Sequence, residues 1–384
     1  MEERLNRRLA ASPRSAIREF ARLAAQTPGC ISLTLGEPDF PTPQPVCDAA
    51  KASLDRGDTH YIPNNGSPRL LEAISAFETQ VHGLTYGPDE VIVTVGATEG
   101  LFTALSGILE PGDEVIIPMP AFVLYGCIVG LCGAVAVPVD TAPTGFQLTE
   151  AQLAAAVSER TKAILLNSPN NPTGCLLHQE SLAVVARLAR ERALFVVCDE
   201  VYRQLTYTDD AVHFSTGYPD LRDRTIVVQS FSKPYAMTGW RVGYLLADGP
   251  VKRQLEKLHQ YDVVSTVSFL QEACITALQQ DPAPMREVYR RRRDFTLARL
   301  EAMGLPVTRP EGAFYVFPNI SAFGLSSADF CRRMISEAGV AAVPGFCFGG
   351  EGHIRLSYCC DDALLTEGLN RLESFVEKLK GEQA

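Results

Sequence analysis

Between Glu90 and Ala247, short β-branched runs alternate with stretches of helix length. Strands are predicted near 90–95, 113–117, 134–139, 161–167, 194–199, 225–230 and 241–247. This alternation leaves few architectures open, because parallel neighbours need long crossovers and helices fill them. The predicted fold class is therefore α/β, with a large domain whose mostly parallel sheet is covered by helices on both faces. Thr149 and Gln152 carry a capping-box signature for one crossover helix, and Ser67 with Pro68 opens another that presents Leu71, Ile74, Phe77 and Val81 on one face. Val115–Val139 holds no charge over 25 residues. Prolines 118, 120 and 138 and glycines 126, 130 and 133 cut it into strand, helix and strand, each too short to span a membrane.

At 384 residues the chain exceeds a typical single core. Residues 1–43 read as an amphipathic arm, with Ile17, Phe20 and Leu23 at helical spacing, followed by the turn-rich connector LGEPDFPTPQP (Leu35–Pro45), packing with a smaller domain. Residues 44–280 form the large domain. The pattern then changes to a long charged helix, a strand at Ala313–Phe317, a helix from Ser326, strands near 340 and 354 and a terminal helix from Asp361, so 281–384 reads as a smaller α+β domain.

A formal charge of −10 with mixed signs disfavours a nucleic-acid binder. The one dense basic run, Arg290–Arg293, reads as a solvated helix face. Eleven cysteines without a CxxC pair read as small core hydrophobes in a reducing compartment. The amino terminus has arginines but no apolar segment of signal type, so a cytoplasmic location is expected. Walker A, HExxH and GxSxG patterns are absent, which argues against ATPase, zincin and serine-hydrolase chemistry.

Chemistry-bearing residues gather where predicted strands end, the place where open α/β sheets bind ligands. Lys233 follows the run Thr225–Val228 and sits among Ser230, Ser232 and Pro234, in a chain with only seven lysines. A lysine desolvated there has a lowered pKa and can act as an amine nucleophile toward an aldehyde. Asp199 and Glu200 end the run LFVVCDE, with Tyr202 just beyond; Asp199 either caps a helix or meets a buried cation such as a protonated pyridine. In the loop NSPNNPTG (167–174), Asn171 either closes a turn or donates to a ligand oxygen. Gly96, Ala97 and Thr98 open a helix after a strand and offer free N–H groups to a phosphate, joined by the donors Ser230, Ser232 and Arg241. Arg355, inside HIRLSY, needs an anion: either a structural carboxylate or a substrate's.

NNPTG, CDEVY, SFSK, TGWRVGY and IRLSY, in this order and spacing, resemble the class I aminotransferases of the pyridoxal-phosphate fold-type I group, from about Ser15 to the terminal helix. The resemblance implies an internal aldimine on Lys233, which also carries the proton between substrate and cofactor carbons. It implies Asp199 on the pyridinium nitrogen and Asn171 and Tyr202 on the phenolic oxygen. Gly96, Ala97, Thr98, Ser230, Ser232 and Arg241 would surround the phosphate, with Tyr61 reaching it from the other subunit of a homodimer. Phe122 would stack on the ring, and Arg355, helped by Gly36, would hold the substrate α-carboxylate.

The implied reaction moves an amino group from an L-amino acid to a 2-oxo acid, with 2-oxoglutarate as the expected acceptor. A C–S β-lyase on the same residues and an aspartate-specific aminotransferase are the alternatives. Thr98 stands where bacterial aspartate enzymes of the group carry a lysine for the distal carboxylate, which speaks against aspartate specificity. The wording of SAIREF, SLTLGEPDF and GAFYVFP is similar to the branch of N-acetyl-diaminopimelate and aromatic aminotransferases. No metal, nucleic acid or membrane is expected as a partner.

Overall fold

The computed structural model describes residues 4–11 and 16–383, so Glu2, Glu3 and Ser15 lie outside the described residues. Twelve strands are formed among them: β1 Ile31–Ser32, β2 Val91–Thr94, β3 Glu114–Met119, β4 Val135–Asp140, β5 Thr161–Asn167, β6 Phe195–Asp199, β7 Thr225–Ser230, β8 Gly243–Leu246, β9 Tyr315–Val316, β10 Val340–Ala341, β11 Val343–Pro344 and β12 Ile354–Ser357. Seven build the central sheet in the order β2-β8-β7-β6-β5-β3-β4. All neighbours are parallel except β8, which runs against both β2 and β7. The seven expected strands are thus present and share one sheet.

Side chains alternate across this sheet with the period of two that a strand imposes. Ala163, Leu165, Val197 and Val228 pack on one face with Leu101, Leu105, Tyr125 and Ile128 from the helices Gly96–Ile108 and Leu124–Leu131. Ile164, Leu166, Val196 and Cys198 pack on the other with Leu182, Val185 and Ala189 from Gln179–Arg192. Because both faces are buried, each such leucine, isoleucine and valine contributes on the order of 1.5–3 kcal/mol of transfer free energy. All six residues of β7 are buried, which fixes the height of its last residue, Ser230.

Direction decides where the chemistry sits. Strands β2, β5, β6 and β7 end at the same sheet edge, while antiparallel β8 begins there: Gly243 pairs with both Thr94 and Ser230. The edge therefore collects Gly96, Asn167, Asp199, Ser230 and Arg241 from distant parts of the sequence. Beyond it, β11, β12 and β9 form a three-stranded antiparallel sheet. The β1 strand pairs in parallel with β10, and Phe20, Ile31 and Leu33 share a core with Phe330, Val340 and Leu369.

Both caps read from sequence form: the Ser67 hydroxyl accepts the Leu70 N–H, and Thr149 and Gln152 bond reciprocally. Two surface readings need correction. The helix from Pro68 widens into a π turn at Glu78–His82, which rotates Val81 off the apolar face and leaves it 58% exposed. The Arg290–Arg293 run is only partly solvated. Arg292 bridges Asp39 and Asp362, and buried Arg293 donates to the Pro310 carbonyl and Asp294. All eleven cysteines are free thiols, and no helix among the described residues is long and apolar enough to cross a membrane.

Candidate active site

A cavity of about 390 Å³ opens at the sheet edge, lined by residues of β6, β7, the Gly96–Ile108 helix, the arm, and β9 and β12. Lys233 enters it from the turn that follows β7. Its Nζ donates to the Gly36 carbonyl at 2.5 Å and lies 5.8 Å from the Phe314 ring centroid. Burial pulls its amine down to about 8, with Arg355 and Arg241 pushing the same way against Cys359 and Glu37. A lysine so placed spends an appreciable fraction of its time as the free amine near neutral pH.

Asp199 ends β6 at the floor of the cavity. The Tyr125 hydroxyl donates to Oδ2 at 2.7 Å and the Val201 N–H to Oδ1 at 3.3 Å, while Asn167 Nδ2 donates to its carbonyl at 3.0 Å. Burial raises its carboxyl to about 6, against the lowering effect of the Tyr125 and Val201 donors. A buried carboxylate with two donors and no cation in bonding contact is set up to receive one.

Arg355, on β12, is 3% exposed. Its Nη1 donates to Asn171 Oδ1 at 2.8 Å, its Nη2 to the Thr34 carbonyl at 2.7 Å, and its guanidinium lies 4.4 Å from the Tyr315 ring centroid. Its Nε is buried without a partner. A buried, neutral-partnered guanidinium with an orphan donor calls for an anion. Asn171 itself is held by its N–H bonding Asn167 Oδ1 at 2.8 Å, and Tyr202 shares a hydroxyl contact of 3.0 Å with Tyr315.

The opposite wall is a donor cup. Gly96 adopts φ +74°, a conformation that favours glycine, and a Cβ there would fall 2.6 Å from an Arg241 guanidinium nitrogen and push it aside. Arg241 is itself left-handed at φ 53°, a strained conformation of the kind that collects at binding sites. Behind them Gly243 lets β8 approach Ala97, whose N would lie 2.9 Å from an added Cβ. The first N–H groups of the helix, the Thr98 side chain, Ser230, Ser232 and Arg241 thus line one side.

Of the residues singled out from sequence, Ala97, Thr98, Phe122, Asn171, Asp199, Tyr202, Ser230, Ser232, Lys233, Arg241, Gly36 and Arg355 line this one cavity, and Gly96 abuts it through Arg241. Tyr61 does not: it is 87% exposed and borders a different surface depression with His60 and Arg69. Tyr125, Tyr315 and Thr34 escaped the sequence reading of the site, and Asn167 entered it only as the first residue of the NSPNNPTG loop. A tyrosine inside the apolar run Leu124–Leu131 was a usable signal for the first, because a buried hydroxyl needs a partner. Thr34 acts through its backbone carbonyl and left no signal.

A lysine amine between a floor carboxylate, an anion-seeking arginine and a helix-end cup defines a class of α/β enzyme that holds an aldehyde cofactor and an amino acid together. The family model described as "Aminotransferase class I and II" matches residues 28–372. The chain is 43% identical to a probable N-acetyl-LL-diaminopimelate aminotransferase of Bacillus subtilis, across 98% of this chain and 97% of that one. It is similar to the structure of an aromatic aminotransferase from Pyrococcus horikoshii (TM-score 0.89, 39% identity, 94% and 99% of the two chains covered). It is likewise similar to that of the aspartate aminotransferase from Thermus thermophilus with maleate (TM-score 0.91, 37% identity, 96% and 99% covered).

The chain belongs to the class I and II aminotransferases. It is a transaminase, an enzyme that transfers amino groups between amino acids and 2-oxo acids with pyridoxal 5'-phosphate. The donor set fits that cofactor. The space that Gly96 leaves beside Arg241 suits a phosphate, and the uncompensated Asp199 carboxylate suits a protonated ring nitrogen.

Proposed function

We propose that this transaminase uses Lys233 as the amine that anchors the cofactor and moves the proton, and accepts a range of L-amino acids with 2-oxoglutarate as acceptor. One observation carries the reading: the depressed Lys233 amine shares a cavity with Asp199 and the orphaned Nε of Arg355. Bound pyridoxal phosphate supplies an aldehyde and an electron-withdrawing ring. Gly96, Ala97, Thr98, Ser230, Ser232 and Arg241 hold its phosphate, and Asp199 holds the ring-nitrogen proton. Asn171 Nδ2, left free because its Oδ1 serves Arg355, donates to the phenolic oxygen together with Tyr202. Phe122 covers the ring. Arg355 takes the substrate α-carboxylate and so points the α-hydrogen at Lys233 Nζ, with the Gly36 carbonyl steering the amine.

The enzyme acts as a homodimer in which Tyr61 of each copy completes the other's phosphate cup. Supporting this, Tyr61 and Tyr261 are 87% and 88% exposed, alongside exposed Val264 and Val267, and Asn64 ties their loops by donating to the Val264 carbonyl. The chain divides into an arm and connector (1–43), a cofactor domain (44–280) and a small domain (281–384), and it works in the cytoplasm. Broad donor use is favoured by the lining on the arm side, where Ile17, Ala21, Leu35, Phe122 and Leu124 present apolar surface and Thr98 no charge. A donor and acceptor panel on purified enzyme tests the reading. Turnover of aromatic and acidic donors with 2-oxoglutarate is expected; strict use of aspartate would overturn it.

A further inference from the structure

Four cations line the cavity, and three of them already have partners. Lys233 bonds Gly36, Arg355 bonds Asn171 and Thr34, and Arg241 bonds the Thr238 carbonyl at 3.0 Å. The fourth is Arg18, on the arm helix Ala16–Gln26. It is exposed at the cavity wall and has no hydrogen-bond or ion-pair partner among the described residues. One turn later, by contrast, Arg22 is satisfied by Gln26 at 2.8 Å. Among the described residues, the only carboxylate in the lining is Asp199, at the floor. A second carboxylate entering on a substrate therefore meets no lining carboxylate on the arm side and one uncommitted guanidinium, with Glu19 and Glu37 set outside the lining.

We propose that Arg18 is the specificity residue for dicarboxylic substrates, binding the distal carboxylate while Arg355 holds the α-carboxylate. The inference rests on the transaminase reading above and assigns within it the residue that selects the acceptor. The geometry separates the two arginines by role. Arg355 is rigid, buried and stacked on Tyr315, so every substrate must satisfy it. Arg18 stands in water with Ile17 and Ala21 on either side, so a substrate with an apolar side chain leaves it hydrated at little cost and packs against the aliphatic wall instead. One site can then serve both substrates of a transamination whose side chains differ in charge.

Inhibition constants for glutarate and pentanoate, a dicarboxylate and its monocarboxylate counterpart of equal chain length, test this on the holoenzyme. In Arg18→Met, which keeps the aliphatic stem, glutarate should bind about 10-fold more weakly and pentanoate within about twofold of the parent, the loss expected for one charge-assisted contact at a partly solvated site. The ratio of kcat/KM for 2-oxoglutarate over phenylpyruvate should fall in parallel, and Arg18→Lys should recover part of both. Equal weakening of the two inhibitors, or an unchanged glutarate constant, would overturn the assignment. Absence of 2-oxoglutarate turnover in the parent enzyme would instead refute the acceptor reading and leave the inhibitor comparison to judge Arg18 alone.

Discussion

At the sheet edge, Lys233 is held by a half-buried carbonyl at 2.5 Å, and Asp199 and Arg355 by buried partners: a phenol at 2.7 Å, and an amide and a carbonyl at 2.8 and 2.7 Å. On the arm side of the same cavity, Ile17, Arg18 and Ala21 come from a helix of 11 residues in which only Phe20 and Ala24 are fully buried, with Ala16, Ile17 and Leu23 partly so. The first region is over-determined and the second is loosely specified. Reaction chemistry needs atoms fixed within fractions of an ångström, whereas substrate choice tolerates a softer wall. The relatives fit that division: their names share the transaminase activity and differ in the amino acid.

The largest effect should come from the rigid end. Lys233→Ala should lower turnover on the order of 10⁴-fold or more, the scale of losing a proton-transfer group, and abolish the absorbance of the covalently attached cofactor. Turnover that survives would remove Lys233 from the chemistry. Because burial places its amine at about 8, the rate of cofactor attachment to the stripped protein should climb with pH and level off above that value, since only the deprotonated amine reacts. A rate flat from pH 6 to 9 would contradict the depressed pKa.

Asp199→Asn comes next. The variant keeps a side chain for Tyr125 but cannot hold a proton on a ring nitrogen, so kcat should fall about 10²–10³-fold with cofactor still bound. Equal loss of cofactor affinity and rate would make Asp199 an anchor only. Replacing Arg355 with Gln should raise KM for all substrates, about 30-fold or more, because a buried charge-assisted clamp is lost. It should act on aromatic and acidic substrates alike, whereas Arg18→Met separates them. That contrast tests the two ends of the cavity directly.

How far the sequence disclosed this site follows the same line. The sheet was legible because both its faces are buried, so β5, β6 and β7 carry nearly unbroken apolar runs whose ends mark Asn167, Asp199 and Ser230. Lys233, Asp199 and Arg355 were legible because a charge in apolar surroundings needs a reason. The reversal of β8, which brings Arg241 to Gly96, depends on strand pairing between residues about 150 apart and has no local signature. The Thr34 and Gly36 carbonyls act through backbone, which composition hides. Arg18 looked like any charge on an amphipathic helix, because its free state is a property of what the fold leaves opposite it. Val81 was misplaced because the π turn at Glu78–His82 breaks the 3.6-residue period on which the reading depended.

The smallest effect is the one most specific to the rigid end. Tyr125 lines the floor of the cavity and donates to Asp199 Oδ2, which makes it a candidate positioning residue for that carboxylate. Burial raises the Asp199 carboxyl to about 6 and the Tyr125 hydrogen bond opposes that rise. Tyr125→Phe keeps the ring in its apolar contacts and removes only the donor, so the carboxyl should move further up. The ionised form would then be lost at a higher pH as the solution is acidified. In the cofactor-free protein, followed through the pH dependence of cofactor binding, this titration should shift upward by about half to one unit, matching a hydrogen bond to a charged group worth about 1 kcal/mol in a partly compensated site. Activity at pH 8, where Asp199 stays ionised in both proteins, should change less than about fivefold. A purely structural role would weaken cofactor binding at every pH without moving that titration, and that outcome would show that the floor of the cavity is held by packing and not by the hydrogen bond.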